Sequence, residues 1–337
     1  MNASDDRDKI LKWISSLGSP RSAKTKSPFS VLVRPHDLGK LNAYNFSVLV
    51  RHKKMTATGT SLRFIQKDAF FGAFCEAVER LALRDPRAGY NSNGVALHTN
   101  PKEARTRAAR EVIERHLFLA HYWGGVPFFK PDKSIAKSKT FIHTQQALRS
   151  HYAKFEIYEM QRVGNLRSFI AVISDLRKHH RFGLALGCST KESAQEAAES
   201  ALCEALNVFH IIKLDRKKMN LEKFLRLKSP TPHDHALLAW NINYSNESKH
   251  FFAKSQAKKK NIPIPLSLKS FRFRKLKITA QKDFPFCVYK ATHPKLLDMV
   301  FHHLTESDHQ LIIRKLNDFW MPKTKFSAIP SLPHPFP

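Results

Sequence analysis

Glu76-Ala77-Val78-Glu79-Arg80 and Glu111-Val112-Ile113-Glu114-Arg115 are two copies of one pattern, set 35 residues apart. Each reads glutamate, two small or apolar residues, glutamate, arginine. Each sits in a stretch whose apolar spacing predicts a helix, over about 68–83 and about 101–121. Residues three and four apart share a helix face, so each copy points two carboxylates one way with an arginine beside them. Like charges at that spacing weaken an isolated helix by roughly 0.2–0.5 kcal/mol. Cations bridging phosphate groups would compensate. Ordinary i,i+4 pairing, Glu76 with Arg80 and Glu111 with Arg115, is the competing explanation.

The second helix carries more. Asn100 caps it, Pro101 is its first residue and Glu103 its third. At 100° per residue, Glu103, Arg107, Glu111 and Glu114 fall within about an 80° arc, while Ala108, Val112 and Leu119 point elsewhere and can pack. Three carboxylates on one narrow face need counter-charge if they are buried. Together with Glu76 and Glu79, four or five carboxylates facing one another would form an oxygen-rich site suited to Mg2+. Arg80 and Arg115 would then neutralise phosphate oxygens. The sequence has no Walker A motif and no G-x-G-x-x-G, so such a nucleotide site is of a non-P-loop kind.

The surrounding chain predicts an α+β fold. Residues 29–66 and 151–187 carry strand-like runs, including Phe46–Val50, Arg167–Ile173 and Gly183–Leu186. A third helix is expected from near Thr190 to about Phe209, built around Ala201-Leu202-Cys203-Glu204-Ala205-Leu206-Asn207. Each of the three helices follows strand-like sequence and a glycine-containing turn, which suggests repeated strand-helix units. A last helix is expected over about 307–318. Phe271-Arg272-Phe273-Arg274-Lys275-Leu276-Lys277 alternates with period two and reads as a strand with one cationic face; stacking on nucleic acid is the alternative. Lys258-Lys259-Lys260 adds to this basic stretch. Residues 1–27 have linker composition, 28–322 form the expected catalytic domain, and 323–337 are a proline-rich tail. Proline at every second position in Pro333-His334-Pro335-Phe336-Pro337 forces an extended segment, and a disordered terminus is the ordinary reading of such a tail.

Composition excludes some classes. At 42% apolar residues the chain is globular. No apolar run approaches the ~20 residues of a membrane span, and the N-terminus lacks a signal pattern, so a cytoplasmic protein is expected. Cys75, Cys188, Cys203 and Cys287 have no C-x-x-C spacing and read as small semi-buried thiols. His179-His180, His302-His303 and His233-Asp234-His235 are weak metal candidates, the last read as a polar turn. A net charge of +29 favours polyanionic partners without choosing among them.

The two Glu-x-x-Glu-Arg copies, the Ser92-Asn93-Gly94 turn, Asn100-Pro101-Lys102-Glu103-Ala104 and the block from Gly183 to Asn207 resemble the YcaO family. The likeness spans roughly 57–210. The terminus Pro333–Pro337 resembles the P-x-P-x-P end of the azoline-forming members. The resemblance implies helices packed on mixed or antiparallel sheets around a Mg-ATP site. By this resemblance Glu76, Glu79, Arg80, Glu103, Glu111, Glu114, Arg115 and Asn207 would surround ATP, with Glu76, Glu79, Glu111 and Glu114 holding Mg2+. It implies an ATP- and Mg2+-dependent cyclodehydratase that acts on a ribosomally made precursor peptide. A Cys, Ser or Thr side chain attacks the preceding amide carbonyl, the oxygen takes the γ-phosphoryl group, and phosphate leaves to give thiazoline or oxazoline. The carboxylate of Pro337 would be a general base. Implied partners are an E1-like or RRE-containing leader-binding subunit and an FMN-dependent azoline dehydrogenase, as in microcin-type azole synthetases of antibiotic biosynthesis. A thioamide- or amidine-forming YcaO protein is the alternative within the family; a basic nucleic-acid-binding or scaffold protein is the alternative outside it. The sequence departs from the family pattern at Gly72, where serine is usual, at Gly59-Thr60-Ser61, where glycine-lysine-glycine is usual, at His116 for aspartate, and at Asn207 for glutamine.

Overall fold

The computed structural model describes residues 29–320 and 333–336, apart from 37, 39–40, 53, 89–90, 178–180, 216, 254–265 and 279–283. Lys258–Lys260, His179-His180, the N-terminal extension and Pro337 lie outside the described residues. In chain order the elements are β1 (Phe29–His36), β2 (Tyr44–His52), β3 (Met55–Arg63), α1 (Gln66–Ala82), β4 (Val95–His98) and α2 (Pro101–Gly124). Then come α3 (Lys133–Ala136), α4 (Lys139–Arg149), β5 (Ala153–Glu159), β6 (Arg167–Asp175), β7 (Leu184–Lys191) and α5 (Ala194–Leu214). The chain continues with α6 (Leu221–Leu225), α7 (Pro232–Ala239), α8 (Ile242–Ala253), β8 (Arg272–Leu276), β9 (Cys287–Thr292) and α9 (Glu306–Lys315). The fold class is α+β. Its sheets, among the described residues, are three antiparallel three-stranded ones, ordered β1-β2-β3, β4-β9-β8 and β5-β6-β7.

The described residues fall into two compact units, one drawn from Met1–Ala109 and Phe271–Thr292, the other from Arg110–Ser270 and His293–Pro337. In the first, α1 lays Ala73, Ala77, Val78 and Leu81 on Val48 and Val50 of β2, and the same core takes in Val95 of β4 and Val288 of β9. The expected strand at 271–277 is present as β8: Phe271 and Leu276 are buried while Arg272, Arg274 and Lys275 are exposed. Its partner β9 was not evident in the sequence.

In the second unit α5 follows β5-β6-β7 as α1 follows β1-β2-β3. The third helix starts later than expected. Thr190 and Lys191 extend β7, and Ser193 caps the helix by accepting from the Glu196 N–H. β-branched Thr190 is paired with Ser168 across the sheet, which holds it in the strand. Thr231 and Asp234 form a capping box for α7, so His233-Asp234-His235 opens a helix rather than making an isolated turn.

Helix and sheet approach closely at one glycine in each unit. A Cβ on Gly59 would meet Ala73 O at 2.2 Å and Ala77 N at 2.4 Å; one on Gly187 would meet Ala205 N at 2.2 Å and Ala201 O at 2.4 Å. Only glycine lets backbone lie on backbone there. The next N–H in each strand is then accepted by the helix glutamate: Thr60 N donates to Glu76 Oε2 at 2.7 Å, and Cys188 N to Glu204 Oε2 at 2.8 Å. Repetition of a strand-helix unit is thereby visible in atomic detail.

The departures at Ser61 and Gly72 are linked. A Cβ on Gly72 would stand 2.5 Å from Ser61 Oγ and 3.0 Å from its Cβ. The side chain that the family pattern places on the helix comes here from the strand, and the helix gives way to it. Ser61 is buried, and the described residues offer its hydroxyl no hydrogen-bond partner.

Two buried histidines of the second unit are held neutral. The Leu297 N–H donates to His116 Nδ1 at 3.0 Å; the Gln161 N–H donates to His121 Nε2 at 2.9 Å, while His121 Nδ1–H donates to Val126 O at 3.0 Å. Burial pushes these rings down to about 3 and about 4.

Gly72→Ser alone should overpack the helix–strand contact and cost ~1–3 kcal/mol. Ser61→Gly with Gly72→Ser should recover most of that loss, and urea unfolding of the two single variants and the double variant measures the coupling. Additive losses would show that the positions do not share the space. Acid should also destabilise the chain. The unfolded histidines titrate near 6.5 and the folded ones lower, so the neutral-histidine contribution is complete above 6.5 and is lost as pH falls towards 4. The urea midpoint should fall across that window, and His121→Gln should flatten the fall; an equal fall in the variant would remove His121 from the account.

Candidate functional site

The first Glu-x-x-Glu-Arg copy lies on α1. Its glutamates point at the ends of neighbouring strands. Glu76 accepts from Thr60 N and pairs with Arg80 through Oε1 at 2.6 Å; Glu79 Oε1 accepts from Leu97 N at 2.7 Å. Arg80 also donates from Nη1 to Thr58 O at 2.7 Å. Both carboxylates are half-buried and Arg80 is exposed. This copy therefore contains the ordinary i,i+4 pair that competed with the metal reading. Behind it, burial and then Glu79 push the Cys75 thiol up, against the pull of Arg107, so Cys75 is an inert thiol.

The second copy, on α2, is arranged differently. Arg115 stands among three carboxylates: Glu204 at 3.6 Å, Glu114 at 3.9 Å and Glu111 at 4.0 Å. These are ion pairs without hydrogen-bond contact, since an N–H···O bond needs about 2.7–3.2 Å. Nη1 of Arg115 is buried with no hydrogen-bond partner among the described residues. Glu114 is only 13% exposed. Burial first, then Glu204 and Glu111, hold its carboxyl well above the usual range, with Arg115 and the Thr190 backbone pulling the other way. Among the described residues one guanidinium faces three carboxylates here, and such an oxygen-rich donor set fits a divalent cation that brings phosphate oxygens with it. Among the described residues no three His, Cys, Asp or Glu side chains stand close enough to cage a metal by themselves. Mg2+ keeps waters and phosphate oxygens in its shell and does not need such a cage.

Glu204 was missed as a site residue because it lies outside a Glu-x-x-Glu-Arg run. Its signal was the glycine-strand-helix offset that it shares with Glu76. Asn207 is one turn further along the same face of α5, half-buried. Glu103 is exposed in the first turn of α2; helix rise alone sets it about 12 Å before Glu111, so angular agreement did not bring it into the cluster around Arg115.

The described part of the tail is buried, against the ordinary reading of a proline-rich terminus. Phe336 is fully buried, its ring 5.0 Å from that of Phe118 and 4.3 Å from the Arg115 guanidinium carbon. Tyr122 donates to Pro333 O at 3.0 Å, and Tyr244 donates to the same carbonyl. His235 Nδ1 donates to His334 O at 2.8 Å, and the two imidazoles stack at 4.4 Å. The remaining histidine candidates have structural partners: His233 meets Asp215, His302 meets Asp308, and His303 meets Leu227 O. No helix among the described residues is long and apolar enough to cross a membrane.

The family profile described as YcaO cyclodehydratase, ATP- and Mg2+-binding, matches residues 83–305. That stretch begins just past the first copy and includes Glu103, Glu111, Glu114, Arg115, Glu204 and Asn207. No curated protein matches the sequence. Among solved structures the chain is similar to the YcaO protein of Methanopyrus kandleri bound with AMPPCP and Mg2+, at 12% identity and TM-score 0.58, over 89% of this chain and 95% of that one. It is similar to a heterocyclase in complex with substrate and cofactor, at 13% identity and TM-score 0.62, over 98% of this chain but 57% of the other. It is also similar to a chain of the E. coli microcin synthetase McbBCD complex, at 12% identity and TM-score 0.54, over 83% and 90%. At these identities the structures show a shared fold. With the profile matching more than half of its length, the chain belongs to the YcaO cyclodehydratase family, which binds ATP and Mg2+.

Proposed function

We propose that this chain is the cyclodehydratase subunit of an azole-type peptide synthetase, converting Cys, Ser or Thr of a ribosomally made precursor to thiazoline or oxazoline. The observation that carries the reading is the electron-rich cluster of Glu111, Glu114 and Glu204 around one loosely held Arg115, inside the family match. Bound Mg-ATP would supply the phosphoryl group that turns the amide oxygen from a poor leaving group into phosphate.

The chain's own residues have distinct roles in this reading. Glu111 and Glu114, with Glu76 and Glu79, hold Mg2+; Glu204 joins them. Arg115 and Arg80 neutralise phosphate oxygens, and Arg115 is the better prepared, because its Nη1 makes no hydrogen bond among the described residues. Glu103 and Asn207 contact the nucleotide outside that core. The described part of the tail reaches the same cluster, with the Phe336 ring on Arg115. The similar heterocyclase was solved with substrate, and the similar microcin synthetase is a multisubunit complex also solved with its precursor bound. Those likenesses support a precursor peptide, an E1-like or RRE leader-binding subunit and an FMN-dependent dehydrogenase as partners, and a place in bacteriocin-type biosynthesis.

With a precursor peptide, its partners and Mg-ATP, the chain should remove one water per ring formed, read by mass spectrometry. Glu76→Gln together with Glu114→Gln should lower the rate at least ~100-fold, the scale on which losing charge-stabilising groups registers. Unchanged ring formation would defeat the site assignment. Glu204→Gln is a finer probe. Its amide oxygen can still accept from Cys188 N, so the melting temperature should hold. Mg2+-dependent AMPPCP affinity should fall about tenfold, and an unchanged affinity would remove Glu204 from the metal set.

A further inference from the structure

Arg115, Phe118 and Tyr122 form one stripe along α2, at i, i+3 and i+7. The N-terminal end of the stripe stands among the carboxylates, and the rest is the seat of the tail. Tyr122 holds the Pro333 carbonyl, Phe118 packs on Phe336, and Phe336 lies on Arg115. The tail is also fixed from elements distant in sequence. His235 holds the His334 carbonyl, Tyr244 holds that of Pro333, and His334 Nε2 meets Val300 O at 2.7 Å. Phe336 is therefore a buried ring on a clamped backbone.

The guanidinium it touches is poorly fixed by anything else described. Its three carboxylates stand at 3.6–4.0 Å, beyond hydrogen-bond reach, and Nη1 has no hydrogen-bond partner. Charge holds Arg115 in the neighbourhood without setting its plane. An aromatic face 4.3 Å from the guanidinium carbon does set a plane, because the ring quadrupole attracts the cation over the ring and leaves the N–H groups free at its edge.

We propose that Phe336 is a positioning residue: by seating its ring on Arg115, the tail sets the orientation in which Arg115 receives a polyphosphate. This rests on the nucleotide reading of Arg115. Tail seating and polyphosphate binding are then linked, and each strengthens the other by the same factor. The tail's part in the reaction is thus to prepare the phosphate site, in addition to whatever its terminal carboxylate contributes.

The test compares Phe336→Leu, which keeps apolar bulk and loses the quadrupole, with Phe336→Tyr, which keeps the ring. Each is made in the full chain, with melting temperature as the folding check. Mg-AMPPCP affinity should fall roughly three- to tenfold in Phe336→Leu and be retained in Phe336→Tyr, the scale of a partly buried cation–π contact. In an Arg115→Lys background the same Leu substitution should have little further effect. A second readout needs no nucleotide. The Arg115 Nε–Hε resonance should show the ring-current shift of a stacked guanidinium in the wild-type chain and in Phe336→Tyr, and lose it in Phe336→Leu. Equal affinity in the Leu and Tyr variants, or an Arg115 resonance that ignores the substitution, overturns the proposal. If the wild-type chain binds no Mg-AMPPCP, the nucleotide reading fails with it; the resonance then still decides whether Phe336 positions Arg115, an unmoved signal overturning that as well.

Discussion

Everything at the acidic cluster depends on a helix lying directly on a strand. At Gly187 the backbone of α5 comes so near β7 that even a methyl group would sit 2.2 Å from a helix nitrogen. That approach brings Glu204 within reach of the Cys188 N–H, where one carboxylate oxygen is held and the other is left to face Arg115. Gly59 and Glu76 do the same in the first unit, at the same sequence offset. One device thus yields two electrostatic outcomes. The other oxygen of Glu76 pairs with Arg80 at 2.6 Å on its own helix. The free oxygen of Glu204 meets a guanidinium already shared with two other glutamates.

The difference follows from burial. A pair such as Glu76 and Arg80, whose arginine is exposed, is largely solvated and contributes little, about 0–1 kcal/mol. Arg115 is 16% exposed and Glu114 13%. There the carboxylates are partly stripped of water, and one guanidinium cannot compensate three of them. The raised Glu114 carboxyl reports that imbalance.

Much of this was legible in the sequence, for identifiable reasons. α1 and α2 declared themselves through apolar period and caps, with Asn100 Oδ1 accepting from Lys102 N as an Asn-Pro start suggests. The antiparallel sheet of β5, β6 and β7 followed from β-rich runs that are adjacent in sequence. The β4-β9 pairing was not legible, because it joins Val95 to Lys290 and no local signal spans that distance. The start of α5 was placed early because acidic residues at 192 and 196 mimic a first turn, while Thr190 and Lys191 still pair in the strand. The seat of the tail was not legible from composition, which offered an extended functional segment and a disordered terminus as alternatives. Proline fixes its extended backbone, but what buries it is a set of rings at 118, 235 and 301, which only the fold assembles.

The charge of the chain and the charge of the cluster oppose each other, and the opposition has a chemical use. At +29 the molecule as a whole attracts polyanions. Around Arg115 the balance is different: three carboxylates stand within 4.0 Å of one guanidinium. In the proposed nucleotide reading, a bare triphosphate drawn in by the long-range field would meet local repulsion there. A triphosphate carrying Mg2+ would present the carboxylates with a cation, and its oxygens would meet Arg115. The same side chains would then discriminate between the two forms of one ligand: the field would set encounter and the cluster acceptance. A site lined with arginine and lysine alone would bind both forms and would leave the metal optional. The family binds ATP and Mg2+ together, and in the proposed reading the carboxylates would make the metal part of the recognition.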